Sequence, residues 1–489
     1  MRGSLRIPWA ALAVALVLPL AACGDDEQTT PPEDNAPSVT LTAPTGGEAF
    51  QLGETVTITF TATDDGTVTV DLSYTADGGS ETVIASDLTG DSYDWTVPSS
   101  DMFGVTVKAV ATDDANQTDE DESDIFAVVT SSARGYVTAS VCQNCHVTKY
   151  GDVFDSGHPY KLNKVVNDQP PTYPNSTVPS PPTGVGWDEV TYVIGGYGWK
   201  ARFLDLNGYI MVTGLLGIPV QYNLPRADLG VGSEWVDYHA TDTEPKPYDC
   251  GSCHTTGWQD LTQNGGVHQD GLTGIEGTWE DIGVTCEACH GPGVDHVATK
   301  DGANITIDES SELCGSCHFR DPGHRLLTSG GYIRHHEQYD EWLNGGKPAS
   351  VTCGTCHEPH MLTRYGNAAA GGILTTCESC HPDQAASNAH LVPVDCETCH
   401  LARATKSARA IHTFEGDVQT HLFTINPAPF PKDSMWVIDP VDSVEIAAGF
   451  VTLDFVCYQC HDDPITQVGG GGSEQTLTEL SAEATGIHN

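Results

Sequence analysis

From Ser38 to Val129 apolar residues recur at every second position. Val56, Ile58, Phe60 and Ala62 alternate with threonine, and Val68, Val70, Leu72 and Tyr74 alternate with small and polar residues. Val105, Val107, Ala109 and Ala111 repeat the pattern, and Trp95 is a candidate core anchor. Period two puts one set of side chains on one face of a sheet, and Gly and Asp clusters between the runs mark turns. The segment 38–130 therefore predicts an all-β sandwich. After a linker over 131–141 the regular alternation fades. A Pro-rich loop runs from Pro170 to Pro182. Val190–Ile194 and then Trp199–Val212, turning at Asn207-Gly208, predict a small β insertion at about 187–215. Beyond it, periodic runs are too short for long elements, so short helices and irregular loops are expected through the rest of 138–465. Residues 466–489 read as a Gly-rich tail ending in a short helix.

The first residues belong to no fold. Arg2 and Arg6 precede an apolar stretch, Ile7 to Leu20, that is too short for a permanent membrane span. Leu20-Ala21-Ala22-Cys23-Gly24 resembles a bacterial lipobox. That resemblance implies a signal peptide over 1–22, a lipid on Cys23, and a flexible acidic tether over 23–37.

Cysteine changes the picture most. Of 17 cysteines, every one except Cys23 lies in a C-x-x-C pair followed at once by His. The groups are Cys142/Cys145/His146, Cys250/Cys253/His254, Cys286/Cys289/His290 and Cys314/Cys317/His318. They continue with Cys353/Cys356/His357, Cys377/Cys380/His381, Cys396/Cys399/His400 and Cys457/Cys460/His461. C-x-x-C-H is the signature for covalent attachment of c-type haem: two thiols form thioethers to the porphyrin edge, and the next residue is the proximal iron ligand. Zinc ribbons use C-x-x-C without requiring that histidine. Eight c-type haems are therefore expected. Seven of the motifs crowd into Cys250–His461, leaving few residues for a protein core, so the porphyrins are expected to form it. The fold class is multidomain, a β-sandwich followed by a haem-packed region.

The 20 histidines less eight proximal ones leave twelve for the opposite faces. His158, His296, His336, His360, His390, His412 and His421 are the candidate distal ligands. His324 is the candidate eighth, with His268 and His239 as alternatives. His360 lies only three residues past His357, too near to reach the far side of the same iron, so it must serve another haem. His335 adjoins His336, so one of the two is expected to bind. His488 is either a late-docking ligand or part of a frayed end. For the Cys250 and Cys457 motifs no distal partner stands out.

A formal net charge of −46 excludes nucleic acid and polybasic membrane contact. It fits a solvated surface in saline surroundings as well as attraction of cationic partners. Asp64/Asp65 and Asp113/Asp114 read as solvated acidic loops in preference to calcium ligands.

Pro44-Thr45-Gly46-Gly47-Glu48 and Ser123-Asp124-Ile125-Phe126 resemble bacterial immunoglobulin-like modules. Over 138–465 the chain resembles the multihaem c-type cytochrome superfamily that includes cytochrome c-554 and octahaem hydroxylamine oxidoreductases. The likeness rests on Cys142–His146 leading to His158, on Gly283–Gly293 leading to His296, and on His336-Glu337-Gln338-Tyr339 before Cys353–His360. It implies an array of mostly bis-His haems that carries electrons in extracytoplasmic or extracellular respiration, from a lipoprotein on the outer membrane, at its periplasmic face or at the cell surface. Other cytochromes, quinol-linked donors and extracellular metal or mineral acceptors are the implied partners, and assembly into homo-oligomers or filaments stays open. The alternative is an oxidoreductase acting on a nitrogen or sulfur oxyanion at one five-coordinate haem, with Lys161 or Arg202 in a local basic pocket. All eight motifs end in His, which departs from the Lys-ligated active haem of the nitrite-reductase type.

Overall fold

The computed structural model describes residues 34–346, 350–364, 372–387, 390 and 394–488. The expected signal peptide, Cys23 and most of the tether lie outside the described residues.

The alternating N-terminal segment forms two packed sheets. One holds β1 (Ser38–Ala43), β3 (Thr55–Thr63) and β6 (Ser92–Thr96). The other runs β2 (Ala49–Phe50), β9 (Phe126–Val128), β7 (Met102–Asp113), β4 (Val68–Ala76), β5 (Thr82–Leu88), with β8 (Thr118–Glu122) also paired to β7. Strict alternation along β7 buries Val105, Val107, Ala109 and Ala111 against Ile58, Phe60, Leu72 and Trp95. Asp64 and Asp113 each accept nearby backbone N–H groups.

The sandwich packs directly against the segment that carries the first and third C-x-x-C-H motifs. Phe103, Ala127 and Val129 pack with Val137, Val141 and Ala298 in one buried cluster. Ala298 lies on the helix Val294–Thr299, which also carries His296. Lys300, just past that helix, pairs with Asp77 of the sandwich.

The β insertion is wider than expected. Five antiparallel strands span Leu162 to Val236: β10 (Leu162–Lys164), β11 (Tyr192–Gly195), β12 (Lys200–Leu204), β13 (Gln221–Asn223) and β14 (Glu234–Val236). The turn at Asn207-Gly208 is present, with Gly208 at φ 85°. The outer strands escape a sequence reading because they are three residues long and their alternation is too brief to register.

Each C-x-x-C lies on or beside a short helix such as Cys286–His290, Cys377–Cys380 and Cys396–His400. One turn sets cysteines three apart on the same face, with the histidine beside them. Protein side chains also form a real core around the last two motifs. Leu326, Ile333, Leu422, Met435, Val451 and Phe455 are at most 2% exposed there. Strand Thr405–His412 pairs in parallel with Ile333–Arg334 and antiparallel with Glu415–Val418. The C-terminal helix Leu477–Ala484 is closed at its start by a reciprocal Thr476–Glu479 capping box. Leu480 docks it against Leu453, Tyr458 and Phe414.

Candidate haem-binding centres

The sixteen motif cysteines are all free thiols. Among the described residues no three His, Cys, Asp or Glu side chains converge into a cage for a bare metal ion. Structural zinc needs four such ligands at one point, so the donors suit separate covalent attachment points.

The cysteines are not uniformly enclosed. Cys145, Cys289, Cys380 and Cys460 are exposed, whereas Cys142, Cys286, Cys377 and Cys457 of the same motifs are half-buried. For Cys145 the reason is local. The helix Ala139–Gln143 buries Ala139 and Val141 and ends before Cys145, which falls on the turn beyond it and faces solvent. Cys142 stays within the helix and meets Cys286. An exposed Cys145 is still fit for thioether attachment, with that edge of the ring lying at the protein surface.

The histidines are arranged in facing pairs. Ring centres lie 6.2 Å apart for His146 and His296, 6.3 Å for His158 and His318, and 6.4 Å for His254 and His336. The separations are 6.1 Å for His290 and His360, 6.2 Å for His357 and His421, 6.3 Å for His390 and His461, and 6.1 Å for His400 and His488. Direct stacking would bring rings closer. An iron between two imidazoles requires about 2 Å to each nitrogen and roughly 1.2 Å from nitrogen to ring centre, or about 6.4 Å in all. Seven pairs match that length, each holding one proximal histidine, so the residues fit six-coordinate haem.

Second bonds orient the rings. His290, His296 and His400 place Nδ1 at 2.8, 2.9 and 2.8 Å from the carbonyls of Thr306, Asp301 and Phe423. His318 faces Gln338 Oε1 at 3.0 Å, His360 faces Glu358 Oε1 at 2.6 Å, and His461 faces Ser473 Oγ at 3.0 Å. A Nδ1–H spent on an acceptor leaves Nε2 as the lone-pair donor toward iron. Burial also keeps several rings neutral, as ligation needs: His158 is pushed down to about 3, and His254 and His357 to about 4.

The pairing joins distant segments. His158, after the first motif, faces the fourth motif's His318. His360 faces His290 of the third motif rather than its neighbour His357. His336 faces His254, and it also lies 6.4 Å from His318. His390 faces His461. The Cys250 and Cys457 motifs, which have no evident distal partner in the sequence, thus each have an imidazole opposite. The docked tail brings His488 to His400; the capping box and Leu480 were the available signals for that.

The other candidates are placed differently. His412 accepts a backbone N–H from Phe414 on Nδ1 at 3.2 Å and turns Nε2 toward Glu415 at 3.3 Å. Nε2 is buried without a hydrogen-bond partner, and among the described residues no motif histidine faces the ring at ligation distance. His324 bonds Asp340 at 2.7 Å, His239 bonds Asp242 at 2.6 Å and His268 bonds the Ile275 carbonyl at 2.6 Å. The described residues include all twenty histidines, and among them none stands opposite His381 at ligation distance. His381 is itself exposed.

Motifs also touch one another. The thiols of Cys142 and Cys286, Cys253 and Cys317, and Cys314 and Cys353 are hydrogen-bonding neighbours. Cys289 lies within electrostatic reach of Cys314 and Cys317, Cys356 of Cys380, Cys377 of Cys396, and Cys399 of Cys460. The contacts trace the order first, third, fourth, fifth, sixth, seventh, eighth, with the second motif branching from the fourth. Carboxylates help dock the first two in that path. Glu287, 2% exposed, accepts from the N–H groups of Val137, Thr138 and Gly293 at 3.0, 2.9 and 2.8 Å.

Lys161 and Arg202, offered by the sequence as a local basic pocket, lie in one cluster with Lys200 and Arg320, which the sequence did not single out. Lys200 Nζ lies 3.3 Å from His335 Nε2, and Arg320 Nη2 lies 3.1 Å from the same nitrogen. Arg202 covers the Tyr238 ring at 3.7 Å. Lys161 holds its carbonyl 3.2 Å from His254 Nδ1. Burial pushes Lys161 down to about 8 and Lys200 well below the usual amine range.

Residues 37–118 match the model of a bacterial Ig domain. The sandwich is therefore an immunoglobulin-like module of bacterial type. No curated protein matches the chain. Among solved structures, the outer cell wall cytochrome OcwA aligns at 17% identity over 71% of this chain and 86% of its own, with a TM-score of 0.43. The fibronectin(III)-like modules of CbhA from Clostridium thermocellum align at 27% identity over 19% of this chain and 45% of theirs, with a TM-score of 0.15. Neither superposition is close enough to carry an argument. Among the described residues no helix is long and apolar enough to cross a membrane.

Proposed function

We propose that this chain is an exported, lipid-anchored octahaem c-type cytochrome that relays electrons through an array of mostly bis-His haems. The observation that carries the reading is the set of seven imidazole pairs at 6.1–6.4 Å, each containing one C-x-x-C-H histidine. Haem supplies a one-electron couple whose potential the protein tunes through ligands, hydrogen bonds and local charge. The chain's own residues do the rest. Paired cysteines fix each ring's edge, opposed histidines fill both axial positions, and carbonyl and carboxylate acceptors hold the imidazoles in register. Motifs in thiol contact bring neighbouring ring edges close, which suits hopping along the branched path.

Cys23 is the proposed lipid attachment, and the immunoglobulin-like module carries the array outward from the membrane. The implied setting is the outer membrane or cell surface, with other cytochromes or extracellular metal and mineral phases as partners. A second reading draws on His381: an exposed iron with no imidazole opposite would accept a small exogenous ligand, as an oxidoreductase requires.

Intact mass and pyridine-haemochrome quantification of protein made in a cytochrome-maturing host test the reading. Eight covalent haems per chain are expected. Colourless protein, or a mass without tetrapyrrole additions, would refute it.

A further inference from the structure

In a chain of net charge −46, four cations gather around one motif, with Lys161, Lys200 and Arg202 half-buried and Arg320 reaching solvent. Lys161, Arg202 and Arg320 all act electrostatically on His254, and Arg202 and Arg320 also act on Cys250. Lys200 adjoins them through His335, which feels Lys200, Arg320 and Arg202 together. Among the described residues none of the four cationic side chains is ion-paired within 4.0 Å, although Glu337 acts on Arg320 and Asp417 on Lys200 from farther away. Asp417, whose charge acts on Lys200, is already bonded to the N–H groups of Ser407, Ala408 and Arg409 at 2.7, 2.8 and 3.1 Å. Clustered, partly desolvated cations with no direct ion pair repel one another and favour an anionic partner. The other end of the array is the reverse. Cys377 feels Glu397 and Glu378, and Cys460 feels Glu415.

The geometry points to a cradle of Lys161, Lys200, Arg202 and Arg320 that receives the propionate carboxylates of the haem at Cys250/Cys253/His254 and makes that haem the electron sink of the array. Propionates beside the two amines would oppose the desolvation that lowers Lys161 and Lys200 and keep both protonated, and two propionates neutralise at most two of the four cations. The remaining positive charge, in a low-dielectric interior, favours the ferrous state, which carries one positive charge fewer on iron. The second motif touches the array through Cys317 of the fourth motif, so the sink sits on a side branch. Electrons that reach it are held there until an acceptor draws them off. This inference rests on the haem assignment above and concerns the relative potentials within it.

The test is potentiometric titration of the full haem-loaded chain, followed by visible absorption and electron paramagnetic resonance, with haem count checked by mass. In a Cys250→Ala/Cys253→Ala variant the most positive reduction step should vanish while seven haems remain. Loss of a low-potential step instead would overturn the inference. Lys200→Met and Arg320→Gln should each lower the most positive step by at least tenfold in its reduction equilibrium, about 59 mV for one electron. The other steps should stay in place, and exposed Lys164→Met is the control that should move nothing. An unchanged top step, or an equal shift of every step, would overturn the inference. A wild-type top step that falls on adding phosphate at constant ionic strength would show the cations facing a solvent anion, and would overturn the propionate assignment. A mass showing fewer than eight haems in the wild-type chain would fail the haem reading itself, a distinct result.

Discussion

Glu287 lies between the cysteines of the third motif and ties that motif to the chain leading into the first. Its carboxylate receives three backbone N–H groups while only 2% exposed. Glu287→Ala would strand all three amides. Orphaning a buried donor costs about 1–3 kcal/mol, and bonds to a charged acceptor lie toward the upper end. Water entering the vacated volume recovers part of that, so a net local loss of about 3–5 kcal/mol is expected. Burial works against the charge, since desolvation is the largest influence on this carboxyl and raises it above its usual range. Glu287→Gln separates the two contributions. Its amide oxygen still accepts from Val137 and Gly293, but its NH2 would face the N–H of Thr138, a donor against a donor. Relief of the buried charge offsets part of that clash, so the Gln variant should lose only about 1–2 kcal/mol. Hydrogen exchange by mass spectrometry over 135–139 and 291–294 reads the effect locally. A loss of about 3 kcal/mol lowers protection by roughly 150-fold where exchange follows local opening. Protection within about threefold of wild type in the Ala variant would refute the view that this carboxylate docks the two motifs.

Oxidised protein should show seven low-spin ferric centres and one high-spin centre, and the reduced protein should bind one carbon monoxide per chain; both signals should disappear in Cys377→Ala/Cys380→Ala. Ala298→Asp places a carboxylate in the cluster that joins the sandwich to the helix carrying His296. It should destabilise that junction by about 3 kcal/mol or more and convert the His146 centre from low to high spin. Arg325 binds Asp321, Asp439 and Asp442 at 2.8, 3.0 and 2.8 Å and holds Asp321 down to about 2 against an ordinary 3.8. Because the unfolded chain binds the proton more tightly, the stabilisation is complete above pH 3.8 and is lost as pH falls toward 2. Acid unfolding of Arg325→Met should lack that component, with a modest gain for wild type because the group is partly solvated.

The sandwich was legible because period-two alternation on β3, β4 and β7 is a local property of the chain. The eight motifs were legible because haem attachment is encoded in five consecutive residues. Which thiol of a motif faces solvent was not, since the exposure of Cys145 depends on where its helix stops and on what Cys142 packs against. His360 could be assigned away from its own motif by reach alone. The assignment of the remaining histidines was not legible. His158 and His412 each follow a motif histidine at the same interval, yet one faces His318 across a ligation gap and the other is held by Phe414 and Glu415. Nothing local separates them. Likewise the three-residue strands β10, β13 and β14 of the insertion give no periodic signal, and although Lys161 and Arg202 were legible as a basic pocket, their meeting with Lys200 and Arg320 joins separate segments and could not be read.

Composition and motif spacing alone carry the proposal of the cofactor class and of eight attachment points and predicted the β module, since each depends on residues adjacent in the chain. The tertiary structure alone decided which imidazole opposes which, which motifs touch, where the module braces the array and where positive charge is buried. Those depend on the meeting of segments tens to hundreds of residues apart, and their registry is set by packing and by the electrostatics of burial rather than by any local pattern.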